Sequence, residues 1–158
     1  MDRSLPITLN GKKKLETELD HLIRVEREKI KKALSDARAL GDLSENADYQ
    51  FAKERQSMSE GRILQLQGVL ASSEVVDVAN IRSNTIVFGA TVTLRDTERD
   101  AQISYQIVGK DESDSVAGKI SYTSPIGKAL IGKKVGDSVV VKAPKGEIEY
   151  EIISFKFV

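Results

Sequence analysis

Residues 41–49 read Gly41-Asp42-Leu43-Ser44-Glu45-Asn46-Ala47-Asp48-Tyr49, and they stand between two long charged segments that both carry helical periodicity. Gly41 offers a left-handed stop to a helix ending before it, and Ser44 or Asn46 offers an N-cap to a helix starting after it. A link this short forces the two helices to lie side by side and antiparallel. The carboxylates of Asp42 and Glu45, with Asp48 three residues on, then gather at the turn of a hairpin. At 1.5 Å rise per residue, arms of about thirty residues make a rod roughly 45 Å long. Such a rod carries charge into places that a globular surface cannot enter.

Outward from the turn, the first arm has no proline between Asn10 and Leu40. Its apolar residues are Leu15, Leu19, Leu22, Ile23, Ile30, Ala33, Leu34, Ala37 and Leu40, spaced mostly by three and four. The second arm, 46–73, repeats the pattern with Ala47, Phe51, Met58, Ile63, Leu66, Val69 and Leu70. Runs of mixed charge such as Glu26-Arg27-Glu28-Lys29 leave each arm one narrow apolar stripe, so each needs the other to be stable in water. After Val78 the chain turns to β-branched residues and glycines. Residues 90–94, 103–107 and 147–152 alternate as half-buried strands, and Pro144-Lys145-Gly146 turns Val139–Lys142 into the last of them. The alternation slips at Ile152-Ile153, which predicts a bulge or strand end. Residues 125–131 suit one short helix. The expected fold class is α+β: 1–77 an antiparallel coiled-coil hairpin with an acidic tip, 78–158 an antiparallel β domain with a short helix.

Lysine plus arginine equals aspartate plus glutamate at 24 each, and neither half of the chain holds a large excess. A domain-wide basic footprint is therefore missing, and with it the counterion release that drives most nucleic-acid binding. No sequence-specific DNA binding is expected, and any contact with DNA is left to a partner. The chain has no cysteine, which removes disulfides and thiolate zinc sites and suits a reducing compartment. No apolar leader opens the sequence and no run is long enough to span a bilayer, so no membrane is expected and the cytoplasm is the expected location. His21 is the only histidine and falls on a solvated helix face.

Asp42 and Glu45 form a hard oxygen pair suited to Mg²⁺ or Ca²⁺, but Mg²⁺ keeps several waters and near-octahedral geometry. Two side chains hold it weakly unless another macromolecule supplies the remaining ligands. The plainer reading is that both acids cap the second helix, where the macrodipole favours them by about 0.3–1 kcal/mol. Spacing alone leaves both open.

The stretch Gly41–Tyr49 resembles the tip of the bacterial Gre transcript-cleavage factors. The stretch Ser124-Pro125-Ile126-Gly127-Lys128-Ala129-Leu130-Ile131-Gly132-Lys133 resembles the motif of their C-terminal domain. The two occur in the family's order, and the likeness spans essentially the whole chain. Leu43, and Glu60-Gly61-Arg62-Ile63 in the second arm, are similar to the GreA branch rather than the GreB branch. The resemblance implies an FKBP-like C-terminal domain and a protein that binds bacterial RNA polymerase, probing its secondary channel with the coiled coil. The resemblance implies further that it is not itself an enzyme but activates the polymerase's own cleavage of backtracked RNA near the nascent 3′ end. Asp42 and Glu45 match the family's acidic pair, which shares an Mg²⁺ with the polymerase active site, and no cofactor is bound alone. Arg38, Lys53 and Arg55 are the RNA-contact candidates. The plainer reading of each is an intra-hairpin ion pair or a solvated side chain. Tyr49 either stacks on a base or seals the hairpin. Ser124, Pro125 and Ile126 match the polymerase-docking loop, preceded here by Thr123 where relatives carry an amide or an acid; Ser-Pro also starts a helix without any partner. A monomer is expected. Three alternatives compete: a prolyl isomerase, a channel binder that inhibits without promoting cleavage, and a coiled-coil adaptor without chemistry.

Overall fold

The computed structural model describes residues 5–42 and 45–158. The elements run β1 (Leu5–Thr8), α1 (Leu9–His21), a π-helical segment Leu22–Glu26, α2 (Arg27–Arg38), α3 (Ala47–Ser72), β2 (Ser73–Val76), β3 (Thr91–Asp96), β4 (Ala101–Val108), β5 (Lys119–Ser121), α4 (Pro125–Leu130), β6 (Ser138–Ala143) and β7 (Gly146–Lys156). The chain divides into two compact units, Lys12–Ser72 and the remainder.

In the hairpin unit, the buried residues of the first arm are Leu15, Ile30, Leu34 and Ala37. Leu15 and Ile30 are fifteen residues apart, one more than two heptads. The π-helical segment between them absorbs that extra residue and returns the apolar row to the partner helix. Ala52, Ile63 and Leu66 are the buried residues of α3. Phe51, Met58 and Leu40, expected in the stripes, are instead 68%, 77% and 70% exposed. Phe51 stands one residue before the buried Ala52 and is therefore turned about 100° away from the seam. Among the described residues, three ion pairs run across the seam: Arg27–Glu60 at 2.9 Å, Arg55–Glu26 at 2.7 Å and Arg62–Glu18 at 2.7 Å. Exposed pairs of this kind add little stability, but they fix the stagger of the helices.

The other unit holds a five-stranded sheet in the order β5-β4-β3-β7-β6 and a two-stranded parallel ladder, β1-β2. All neighbours in the larger sheet are antiparallel except β4 and β5. The sheet is antiparallel, as expected, apart from one parallel edge: the segment 109–118 carries the chain back before β5, which then runs alongside β4 in the same direction. Thr93 faces Ser154 while Leu94 faces Ile152, so Ile153 is the extra residue of a β-bulge at the predicted phase slip. Ile86, Ala90, Val92, Leu94, Ile107, Leu130, Val139 and Ile152 form the core, with Tyr105, Tyr122, Tyr150, Phe155 and Phe157 packed around it.

Residues 5–11 and those from Ser73 onward belong to this unit, whereas the sequence reading sets 1–77 with the hairpin. The physical cause is the pairing of Leu5–Thr8 with Ser73–Val76. It is reinforced by Glu112, whose carboxylate accepts the Thr8 N–H at 3.1 Å, the Thr8 hydroxyl and the Gly109 N–H at 2.7 Å. Thr8 in turn caps α1 by accepting the Gly11 N–H at 3.0 Å. Among the described residues, no helix is long and apolar enough to cross a membrane.

Candidate functional site at the hairpin end

The first arm stops in steps. Leu40 N–H reaches the Ala37 carbonyl at 3.1 Å, Gly41 N–H reaches the Arg38 carbonyl at 3.4 Å, and Gly41 has φ of 115°. Only glycine adopts that dihedral without strain. The second arm is started by Asn46: its Oδ1 accepts the Tyr49 N–H at 3.1 Å, and its Nδ2 donates to the Ala37 carbonyl at 2.6 Å. One amide side chain therefore satisfies an orphan donor of α3 and adds a second hydrogen bond to a carbonyl in the last turn of α2. No carboxylate has both a donor and an acceptor at neutral pH, so neither Asp42 nor Glu45 fills that role.

Asp42 and Glu45 are both exposed on this turn; Leu43 and Ser44 lie outside the described residues. Asp48 occupies the first turn of α3, where its charge complements the helix dipole. Among the described residues, no three acidic or histidine side chains converge into a metal cage, so Asp48 does not join the other two. The donor set is a pair of hard, solvent-facing carboxylates. It fits Mg²⁺ only as a partial set of ligands completed from outside this chain.

The three candidate cations part company. Arg55 is bound to Glu26 across the seam at 2.7 Å, the ion-pair alternative in its plain form. The Arg38 guanidinium carbon lies 5.9 Å from the centre of the Tyr49 ring, and Lys53 Nζ lies 5.8 Å from it. The ring also packs against the cluster of Ile30, Leu34 and Ala52. His21 is exposed at the end of α1.

In the sheet unit, Ser124 caps α4: its Oγ accepts the Gly127 N–H at 3.1 Å and donates to the Ser121 carbonyl at 2.6 Å. Pro125 follows at the first helical position and is exposed, while the half-buried Ile126 packs against the core. Gly127 was not anticipated. A Cβ there would lie 2.2 Å from the Ser121 carbonyl oxygen, so the loop closes only around glycine. The available signal was a poor helix former inside a six-residue helix. For Asn46 the signal was its N-cap position, but the bond to Ala37 needs the antiparallel partner to be in place. Nothing local marks Glu112 as the partner of Thr8.

Comparison with known proteins covers both units. A family profile described as "Transcription elongation factor, N-terminal" matches residues 5–75, and one described as "Transcription elongation factor, GreA/GreB, C-term" matches residues 81–157. The transcription elongation factor GreA of Pelobacter propionicus is 53% identical over 157 residues, covering 99% of both chains. That of Anaeromyxobacter sp. strain K is 54% identical over 154 residues, covering 98% of this chain and 93% of its own. Among solved structures, the transcription factor Gfh1 aligns over 98% of this chain and 99% of its own with 29% identity and a TM-score of 0.44. The GreA/GreB factor of Nitrosomonas europaea aligns over 98% and 99% with 20% identity and a TM-score of 0.43. By its matches along both units and by full-length relatives at this identity, the chain belongs to the GreA/GreB family of transcription elongation factors, on the GreA side.

Proposed function

We propose that this protein binds bacterial RNA polymerase, enters its secondary channel with the hairpin and stimulates the polymerase to cut backtracked nascent RNA, so that arrested complexes resume elongation. The observation that carries the reading is the division of labour at the turn: Asn46 caps α3, and Asp42 and Glu45 stand exposed beside it. The cap of α3 therefore does not depend on either acid.

Asp42 and Glu45 present carboxylate oxygens on a turn fixed at both ends, by Gly41 on one side and Asn46 on the other. Their part is to complete the ligand set of an Mg²⁺ whose other ligands belong to the polymerase, and to accept a hydrogen bond from the attacking water. When bound, that ion neutralises charge developing on the phosphodiester oxygens. The protein alone is expected to hydrolyse no RNA, because two carboxylates supply too few ligands. Ser124 and Pro125 belong to the surface that docks on the polymerase; Ser124 shapes the loop and Pro125 is its exposed member. The working form is taken to be a cytoplasmic monomer, with the nascent RNA 3′ end as the second partner.

The test is transcript cleavage in stalled, backtracked complexes with saturating protein. Asp42→Ala/Glu45→Ala is expected to lose the stimulation by a hundredfold or more, on the order of what removing an electrostatic contact to a reacting group costs, while competing for polymerase as well as the unaltered protein does. Stimulation that survives in the double variant overturns the role of the acids and leaves an adaptor without chemistry.

A further inference from the structure

Strand β6 stands at one end of the larger sheet, with β7 as its neighbour. Their hairpin closes on Ala143 and Gly146. In a two-residue hairpin that closing pair is hydrogen-bonded, so the bonded positions run back through Val141 and Val139. Val140 and Lys142 therefore turn their N–H and C=O groups away from β7. Among the described residues, no backbone bond reaches 138–143 from a segment other than β7. The Val140 side chain is also 54% exposed. Along this edge runs a groove between β6 and the C-terminal end of α4, lined by Lys128, Ala129, Ile131, Lys133 and the strand residues 138–140. Its only charges are the two lysines, and among the described residues neither forms an ion pair. In a chain whose basic and acidic residues balance at 24 each, the groove is a local positive excess beside an open strand.

We propose that the β6 edge is a docking surface for an extended acidic peptide segment of a partner protein, which adds a strand beside β6 and sets its carboxylates against Lys128 and Lys133. Two features select this occupant. A row of open N–H and C=O groups is met in full by another extended backbone, and the unpaired cations are met by carboxylates carried on it. A second copy of this chain fits poorly, because pairing edge to edge would bring the same lysines together. Phosphates of a nucleic acid would answer the lysines and the N–H groups but would leave the strand's carbonyls facing acceptors. The surface is separate from the one assigned above to the polymerase, since Ser124 is bonded to Ser121 of β5, at the opposite edge of the sheet. The inference goes beyond the function proposed above and does not rest on it.

The test titrates the full-length, isotope-labelled protein with a short end-capped peptide in which glutamate alternates with threonine and valine, read by amide chemical shifts and hydrogen exchange. The peptide is expected to shift the amides of 128–133 and 138–142, to slow exchange at Val140 and Lys142, and to leave β5 and Ser124 unmoved. The same peptide with lysine in place of glutamate is expected to bind at least about tenfold more weakly, and single-stranded oligouridine to leave these amides where they are. Lys128→Glu/Lys133→Glu is expected to weaken the acidic peptide roughly tenfold, because each reversed charge now repels it. Val140→Pro removes one outward N–H at an edge, where a sheet tolerates proline, and is expected to weaken it by a similar factor. Equal binding of the lysine peptide, movement of the same amides by oligouridine, or no shift with the acidic peptide overturns the proposal. Binding that leaves exchange at Val140 and Lys142 unchanged overturns it too, since the contact would then be made by charge without an added strand. Should Val140→Pro disturb the sheet, that exchange measurement on the unaltered protein decides in its place.

Discussion

In the sheet unit Val92, Leu94, Ile107, Leu130 and Ile152 are all exposed by 1% or less and share one contiguous cluster. Among the described residues of the hairpin, Ile30, Ala37, Ile63 and Leu66 are exposed by 2% or less and only Leu66 by 1%, and the buried cluster nearest the turn is Ile30, Leu34 and Ala52. One unit is held by a core several side chains deep, the other by a seam one side chain wide flanked by ion pairs. Burial contributes roughly 25 cal/mol per Å², so the deep core carries most of the stability. The two acids proposed to share the metal are on the thin unit, at its end, where Leu40 and Phe51 are exposed and packing contributes least. Their geometry must come from point devices: Gly41, Asn46 and Tyr49. This is the ordinary division in which functional segments are drawn from the low-stability end of a molecule.

The most forceful way to break that comparison is to remove one large side chain from each unit. Leu94→Ala and Leu66→Ala each delete a side chain exposed by no more than 1%, and each is expected to cost about 2–5 kcal/mol. Native-state hydrogen exchange separates them: Leu94→Ala should lower protection across β3, β4 and β7, and Leu66→Ala across α2 and α3, each leaving the other unit's most protected amides close to their original values. The unaltered protein should also show its slowest exchange in β3 and β7. Slowest exchange in α3, or a single uniform loss in both variants, would mean that the two units share one cooperative core.

Much of this plan is legible in the sequence, and the limits have a common cause. The second arm, read as 46–73, is α3 at Ala47–Ser72, because N-cap, periodicity and loop composition are all local signals. The turn at Pro144-Lys145 between β6 and β7 and the bulge at Ile153 are local too. What local signals cannot carry is the partner. The pairing of β1 with β2 joins residues 68 positions apart, and the Glu112 bonds to Thr8 join residues 104 apart. The exposure of Phe51 and Met58 has the same origin, since which row of α3 is buried depends on the face that α2 presents. At the candidate site, the acids and the turn were legible by type and spacing. The commitment of Arg55 to Glu26, and of Arg38 and Lys53 to one ring, was not, because both depend on the stagger of two helices.

A smaller effect sharpens the contrast between point devices and packing. Asn46→Ala removes the α3 cap and the bond to Ala37 while touching no core residue, and should cost the hairpin about 1 kcal/mol, within the usual range of 0.5–2 for a lost cap. Asn46→Asp restores the acceptor for Tyr49 N–H but offers no donor to the Ala37 carbonyl. It should recover only part of the loss, as read by the thermal midpoint of the helical signal. Full recovery would show that the 2.6 Å contact to Ala37 contributes nothing.

The smallest effect concerns the ion pairs that flank the seam. The Glu18 carboxyl is held below its ordinary value of 4.5, first by the hydrogen bond from Arg62 and then by that residue's charge, against an opposing push from partial burial. A carboxyl with a lowered folded-state value stabilises the fold at pH above its unfolded value and loses that contribution as pH falls through the folded one. The hairpin should therefore weaken from about pH 4.5 downward by a part that belongs to Glu18. With the side chain 41% exposed, solvent screening holds that part to a few tenths of a kcal/mol. Other carboxylates titrate over the same range, so the informative quantity is the difference between the unaltered protein and Glu18→Gln, taken from α3 hydrogen exchange at pH 7 and at pH 3.5. The difference should be present at pH 7, shrink at pH 3.5, and shrink also at pH 7 when salt is raised to about 1 M, where the screening length falls to roughly 3 Å. Sheet-unit amides should show none of it. A difference that persists unchanged at low pH would place the role of Glu18 in its packing along the seam and not in its charge.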